Sequence, residues 1–439
     1  MNRATVWFAA TVLLWATSSI KGATPDDTES WVQSKLPGLL DLYKHLHSHP
    51  ELSFKEVETS KRIADELRRA GAEVTTGVGK LGVVGVLKNG AGPRVLVRTD
   101  LDALPVTEAT GLEFASRATA TDDEGNRVGV MHACGHDVHM TNLIGTAQWL
   151  ADHRDRWAGT VILIGQPAEE KIGGAKVMLA DGLYTRFGKP DFALALHVKE
   201  DLEVGKIGYC PGPAFASSTS VDVLVRGKGG HGAAPHQTVD PIALAALMIV
   251  DWQTIVSREI NPIRPAVLTV GSIHGGTKHN IIPSEVRMQL TLRSFEEDVR
   301  SALIDGLKRR SIALAQAHRA PAPEFAVTDS TTPTINTPSL VNRVVPAIAK
   351  TLGESNVVQI DPTMGAEDFG LFNQNGVPIF MFRLGTIPPE RVAAAKSGGE
   401  PLPSLHSAFY RPDAAAALPF GIRAMSAAVV ELMPRAQVR

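Results

Sequence analysis

"STSVDVLVRGKG", residues Ser218–Gly229, is where this chain changes style. Val221, Val223 and Val225 alternate with Asp222, Leu224 and Arg226, so the valines share one side of an extended strand and the other side stays half exposed. The strands upstream read differently. "LGVVGVL" (Leu81–Leu87), "PRVLVRTD" (Pro93–Asp100), "TVILIGQ" (Thr160–Gln166) and "DFALALHV" (Asp191–Val198) are nearly continuous apolar runs. Runs of that kind belong to strands buried on both faces. Helical patterns over Glu29–His49, Lys55–Ala70, Met140–His153 and Ala175–Leu183 are interleaved with them. The alternation predicts an α/β fold with a mostly parallel sheet covered by helices.

Downstream of the quoted stretch the pattern is β-α-β-β-α-β. Helix Asp240–Arg258 is followed by alternating "AVLTVGSI" and "EVRMQLTLRSF", then by helix Glu296–Arg319 and "EFAVTDS". After "TTPTINTPS" (Thr331–Ser339) the first style returns, with helix Leu340–Leu352, strand "VPIFMFRLG" and helix Pro412–Met433. The expectation is one α/β domain, residues 24–214 and 331–439, interrupted by an inserted α+β, ferredoxin-like domain, residues 215–330. A chain of 439 residues is too long for a single core, which agrees with two domains.

With 44 basic and 46 acidic residues the formal net charge is −2, which argues against a nucleic-acid partner. The first 23 residues carry Arg3, an apolar run Val6–Ala16 and then small polar residues. That run is shorter than the ~20 residues needed to span a bilayer and has the length of a signal-peptide core. The expectation is a signal peptide over residues 1–23 and an exported chain, periplasmic or secreted, free of the membrane after cleavage. An uncleaved anchor is the alternative. No later segment is expected to span a membrane.

"GQPAEEKIGG" (Gly165–Gly174) sets two acids side by side at the mouth of an apolar strand. Adjacent carboxylates repel, and a metal ion is the most economical reason for placing them there. "MHACGHDVHM" (Met131–Met140) offers Cys134 and His136 two residues apart. A thiolate with an imidazole suits Zn, Mn, Co or Ni rather than Ca or Mg. The polar start of the helix near Met140 is the competing explanation, and a Cys134–Cys210 disulfide is another. "RTDLDALP" ends a buried strand with Asp100 and Asp102, and "DFALALHV" ends with His197. "PLPSLHSAF" puts His406 in a loop, and Glu367 and Asp368 in "MGAEDFG" would most simply cap a helix. The ends of parallel strands converge on one crevice. This set can supply two closely spaced ions, one glutamate of the doublet holding an ion and the other free to handle a proton. "GVGKLG" (Gly77–Gly82) matches a dinucleotide-binding spacing, but a strand follows it where a helix is required.

These motifs, together with "LHSHPELSFKE", "GKGGHGAAPHQTVDPI", "GGTKHNIIPSEV" and "LHSAF", run in the order found in the dimetal aminoacylase/carboxypeptidase family. The chain most resembles the branch of hippurate hydrolases, bacterial N-acyl-amino-acid amidohydrolases and plant auxin-conjugate hydrolases. The resemblance implies two divalent transition-metal ions shared by Cys134, with His136, Glu170, His197 and His406 completing the ligands. It implies Glu169 as general base and Asp102 orienting a ligand from behind. The inserted domain becomes a lid through which the chain dimerises. Its His231 would reach a neighbouring subunit's site, and Asn280 and Arg293 would lie near the substrate carboxylate. The implied reaction cleaves the amide of an N-acyl amino acid, with a dipeptidase or carboxypeptidase as the alternative. The chain departs from the family at Lys171 and Ile172, where glycines are usual, and at Ala408, where Pro is common.

Overall fold

The four apolar runs are the centre of an eight-stranded sheet in the computed structural model, which describes residues 27–435. The segment read as an export signal lies outside the described residues. Strand order is Glu73–Val78, Gly82–Asn89, Gly159–Gln166, Arg94–Asp100, Phe192–Glu203, Ile379–Ile387, Ile207–Tyr209, Val357–Gln359. The four middle strands run parallel to one another. The margins depart from the parallel expectation, since Gly82–Asn89 pairs antiparallel with both of its neighbours and Ile207–Tyr209 antiparallel with Ile379–Ile387. "GVGKLG" is the turn of the first hairpin. Gly77, Gly79 and Lys80 all have positive φ there, which accounts for its glycines without a nucleotide.

Successive side chains of the middle strands go to opposite faces, and each face has its own core. Val95, Val97, Val161, Leu163, Leu194, Leu196, Phe380 and Phe382 pack under long helices that include Asp27–Ser48, His136–Asp152, Pro338–Leu352 and Ala414–Leu432. Leu96, Ile162, Ile164, Ala193, Ala195, Ile379 and Met381 pack on the other face against Met178, Phe369 and Phe372. Burial on both faces is why these strands lack a polar alternation. Helix Ala414–Leu432 is long and apolar enough to cross a membrane by length and composition, contrary to the expectation from sequence. It packs against three of the helices of the first core, and 67% of its most apolar window is buried.

Strand Gly212–Arg226 belongs to both parts of the molecule. Near its start Phe215 pairs with Thr334 and Thr363, while its later residues pair antiparallel with Glu285–Ser294 and Glu324–Thr331. Strand Ala266–His274 completes this second sheet. Helix Pro241–Arg258 starts cleanly, because Asp240 accepts hydrogen bonds from the Ile242 and Ala243 amides and Pro241 takes the first position. This helix and Glu297–Ala317 cover one face of the sheet around Trp252, with Val221, Val223, Val225, Leu290 and Leu292 beneath them. Ser218, Ser220 and Arg293, of the opposite parity, project from the other face and line the crevice against the first sheet.

Candidate metal centre

On the Leu96/Ile162/Ala195/Met381 face, the same parity carries Arg98, Gln166, His197 and Arg383 at the carboxyl ends of the four parallel strands. Only short helices cover that face, so the strand ends open into a crevice of about 790 Å³. Cys134, Glu169, Glu170, His197 and His406 line it. The Cys-Gly-His turn that presents Cys134 and His136 needs its glycine: Gly135 has φ 75°, and a Cβ there would meet Val198 Cγ2 at 2.7 Å.

Two candidate triads share the thiol. Cys134, His136 and His197 form one, and Cys134, Glu170 and His406 the other; within each, the donor atoms lie within 4.8 Å of one another. Cys134 Sγ is 3.5 Å from His197 Nε2, and His406 Nε2 is 3.6 Å from Glu170 Oε2. His136 Nε2 stands 3.8 Å from both Glu169 Oε2 and Glu170 Oε1. Both core imidazoles are oriented from behind. His136 Nδ1 donates to the Asp102 carbonyl at 2.8 Å and His197 Nδ1 to the Val198 carbonyl at 2.7 Å. Each bond leaves the Nε2 lone pair facing the crevice, the arrangement metal-bound histidines use. The Asp102 carboxylate is itself held by Ser53 Oγ at 2.6 Å and the Glu170 amide at 3.0 Å.

The donor set fits a cation on its own evidence. His136 Nε2 and Glu170 Oε1 are buried with no hydrogen-bond partner. Buried polar atoms are otherwise satisfied in proteins, so two facing one point imply a ligand between them. Burial raises the pKa of Glu170 to about 8, and burial with the nearby Glu170 and Glu169 charges pushes the Cys134 thiol up. A bound cation offsets both effects. Two other clusters are already satisfied. His139 bonds Asp100 Oδ1 at 2.7 Å through Nδ1 and the Val198 amide at 2.9 Å through Nε2. Glu367 and Asp368, near Glu169, are held by Arg98.

The structure therefore gathers Cys134, His136, Glu169, Glu170, His197 and His406, sets Asp102 behind them, and brings Arg293 in from the inserted sheet. His231 and Asn280 are neighbours of one another, on either side of the short pairing of Gly230–His231 with Ile281–Ile282. Both are exposed, and neither lines the crevice of its own chain. Both cysteines are free, and Cys210 donates to the Pro213 carbonyl at 3.0 Å, so the disulfide reading is set aside. The acid doublet lies between Ala168 (φ 49°) and Ile172 (φ 52°), both left-handed. Ile172 thus adopts a backbone that glycine reaches freely, at a cost its β-branch makes real.

Sequence reasoning missed partners that lie far apart along the chain. Arg98 anchors a buried network with Asp100, Glu367, Asp368 and Gln166; the signal was a charged residue inside an otherwise apolar strand. Glu367 does cap a helix, accepting from the Phe369 amide at 2.9 Å, and also binds Arg98. Lys171 pairs with Asp123 of the hairpin between Thr119–Thr121 and Arg127–Gly129, which walls one side of the crevice.

The model of peptidase family M20/M25/M40 matches residues 96–399. The chain belongs to this family. Among its relatives, thermostable carboxypeptidase 1 of Saccharolobus solfataricus is 37% identical over 364 residues, 82% of this chain and 87% of that protein. The N-acetylcysteine deacetylase of Bacillus subtilis is 37% identical over 350 residues, 79% of this chain and 88% of that one. The crystal structure of a Bacillus subtilis dinuclear metal-binding peptidase from the M20 family superposes with a TM-score of 0.74 at 30% identity, covering 91% of this chain and 99% of that one.

One buried histidine beside the centre gives a pH-dependent prediction. His47, at the end of helix Asp27–Ser48, bonds Asp137 at 2.7 Å and Glu108 at 3.1 Å. Burial alone would lower its pKa, but the two carboxylates outweigh burial and raise it to about 10. Protonated His47 thus stabilises the fold fully below the unfolded value near 6.5, and that contribution fades as pH rises toward 10. Chemical denaturation should show stability falling between pH 6.5 and 8.5, and His47→Gln should flatten the fall. An unchanged slope in the variant would remove His47 as its cause.

Proposed function

We propose that this chain is an exported amidohydrolase that cleaves N-acyl amino acids into a carboxylic acid and a free amino acid. In this reading it uses two divalent transition-metal ions, drawn from Zn, Mn, Co and Ni. The observation that carries the reading is the carboxylate left over. Two triads sharing Cys134 take up His136, His197, Glu170 and His406, while Glu169, 4% exposed, stands beside them and belongs to neither. Simple metal binding has no use for it; hydrolysis does. Two divalent ions held by Cys134, His136, Glu170, His197 and His406 would supply electrophilic polarisation of the scissile carbonyl and acidify a water molecule.

The chain's own residues do the rest. Glu169 accepts the proton of the attacking water and returns it to the leaving amine, so the C–N bond breaks with both products neutral at nitrogen and carbon before they re-ionise. Asp102 and the Val198 carbonyl keep the two core imidazoles in one tautomer. Arg293, half buried on the inserted sheet, receives the substrate carboxylate. His231 and Asn280, exposed here, serve the crevice of a second copy in a dimer formed through the inserted domain.

The test is a substrate panel on purified protein loaded in turn with Mn, Zn, Co and Ni. N-acetyl and N-benzoyl amino acids should be hydrolysed faster than unblocked dipeptides. Faster cleavage of dipeptides would assign the carboxypeptidase-like reading that one relative's name carries. No turnover of either class with any of the four metals would end the hydrolase reading.

A further inference from the structure

Among the described residues three arginines are buried, and one of them has no anion. Arg98 holds three carboxylates, and Arg423 holds Glu29 at 3.3 Å and the Thr351 carbonyl at 2.8 Å. Arg383 is 9% exposed, its Nε is buried with no hydrogen-bond partner, and among the described residues it forms no ion pair. It is not a surface residue folded inward. It lies on central strand Ile379–Ile387, in register with His197 on the neighbouring parallel strand, and its guanidinium sits 4.7 Å from the Phe215 ring centroid. Phe215 in turn stands 5.8 Å from the His197 ring. Arg383 therefore faces the crevice next to the ligand set, with Cys134, Glu169 and His197 lining the same space. Glu200 also lines this space, but not within ion-pair distance.

A guanidinium taken out of water without a counter-charge is costly, and a fork of donors aimed into a cavity is the geometry that takes a carboxylate bidentately. The aromatic face holds that fork in place without using up its N–H groups. Arg293, whose Nη1 is likewise buried without a partner, approaches from the inserted sheet instead. The crevice therefore carries two guanidiniums that reach it from different sheets, Arg383 from the first and Arg293 from the inserted one.

We propose that Arg383 binds a second carboxylate on the substrate, so that the preferred substrates are N-acyl amino acids carrying two. This rests on the amidohydrolase reading above and narrows it to a substrate class. The second carboxylate can belong to the amino-acid side chain or to the acyl group, and matched pairs separate the two sources. N-acetylglutamate against N-acetylglutamine reports on the side chain; N-succinylleucine against N-acetylleucine reports on the acyl group.

In at least one pair the dianionic member should have the higher kcat/KM by about 10- to 100-fold, the worth of a charge-assisted hydrogen bond. Arg383→Met should bring that ratio near one, and Arg383→Lys, which keeps a charge but not the fork, should retain part of it. The Lys variant also decides the matter if the Met variant folds poorly. The proposal is overturned if wild type shows no preference in either pair while still hydrolysing the neutral members, and the amidohydrolase reading then survives. It is also overturned if Arg383→Met slows both members of a pair equally, which would assign Arg383 to the single carboxylate or to balancing the Cys134 thiolate. Absence of turnover on all four substrates overturns the proposal, and the amidohydrolase reading falls with it only if N-benzoyl amino acids also go uncleaved.

Discussion

Glu169→Gln is expected to keep its fold and its metal and to lose roughly 10²–10⁴-fold in kcat, the usual worth of a positioned acid–base group. The substitution preserves shape, so the neighbours of Glu169 remain where they are. What it removes is a place for a proton. Burial, then the charges of Glu367, Glu170 and Asp368, raise the proton affinity of Glu169, while Arg98 draws it back down. A carboxylate held between those influences can take a proton in one step and surrender it in the next. An amide can do neither.

Stability should not suffer from this change, because a neutral side chain replaces one of several buried acids crowded behind Arg98. The measurements are steady-state kcat, metal content by atomic emission and a thermal melt, all on one preparation. Near-wild-type turnover would show that the proton goes elsewhere. Loss of one equivalent of metal would show that Glu169 is a ligand, which its distance of 3.8 Å from His136 Nε2 leaves geometrically open, since His136, Glu169 and Glu170 form a donor cluster of their own.

How much of this centre could be read in the sequence follows from how local each cause is. The acid doublet, the Cys-x-His turn and the histidine ending "DFALALHV" were legible because a strand end is marked by where an apolar run stops. Parallel strands then bring those ends together without further instruction. The switch at Ser218–Gly229 was legible because one face of the second sheet is half exposed and the period of two shows through. The antiparallel margins were not. Nothing within Glu73–Val78 distinguishes a hairpin from a crossover except the short glycine turn after it, whose spacing also matches a nucleotide motif.

Arg98 and Arg383 were missed for a different reason. Each sits inside an apolar strand whose neighbours dictate the strand assignment, and the partners that give it meaning lie far away in sequence, Glu367 being 269 residues from Arg98. His231 and Asn280 show the remaining limit. One chain brings them to each other and not to the crevice.

Arg98→Met should destabilise the α/β domain by about 3–5 kcal/mol, the cost of breaking a buried ion pair by deleting one partner. The guanidinium donates to Asp100 Oδ2 at 2.7 Å, Glu367 Oε1 at 2.8 Å, Asp368 Oδ1 at 3.2 Å and Gln166 Oε1 at 3.0 Å. Methionine fills much of the same space, so packing is largely conserved and the loss isolates the charge. Three carboxylates are then left buried without their counter-ion. Each must either stay charged at a cost or take up a proton and so lose the bonds that tie strand Arg94–Asp100 to the segment beginning at Asp368. With each kcal/mol worth about 2–4 °C in a domain of this size, the melting temperature should fall by about 6–20 °C.

Lysine should rescue little, because one ammonium cannot reproduce a fork that meets three acids and an amide. The melt is best run with chelator present, so that metal binding does not mask the difference. A methionine variant within about 1 kcal/mol of wild type would mean that the acids around Glu169 are balanced by something other than Arg98.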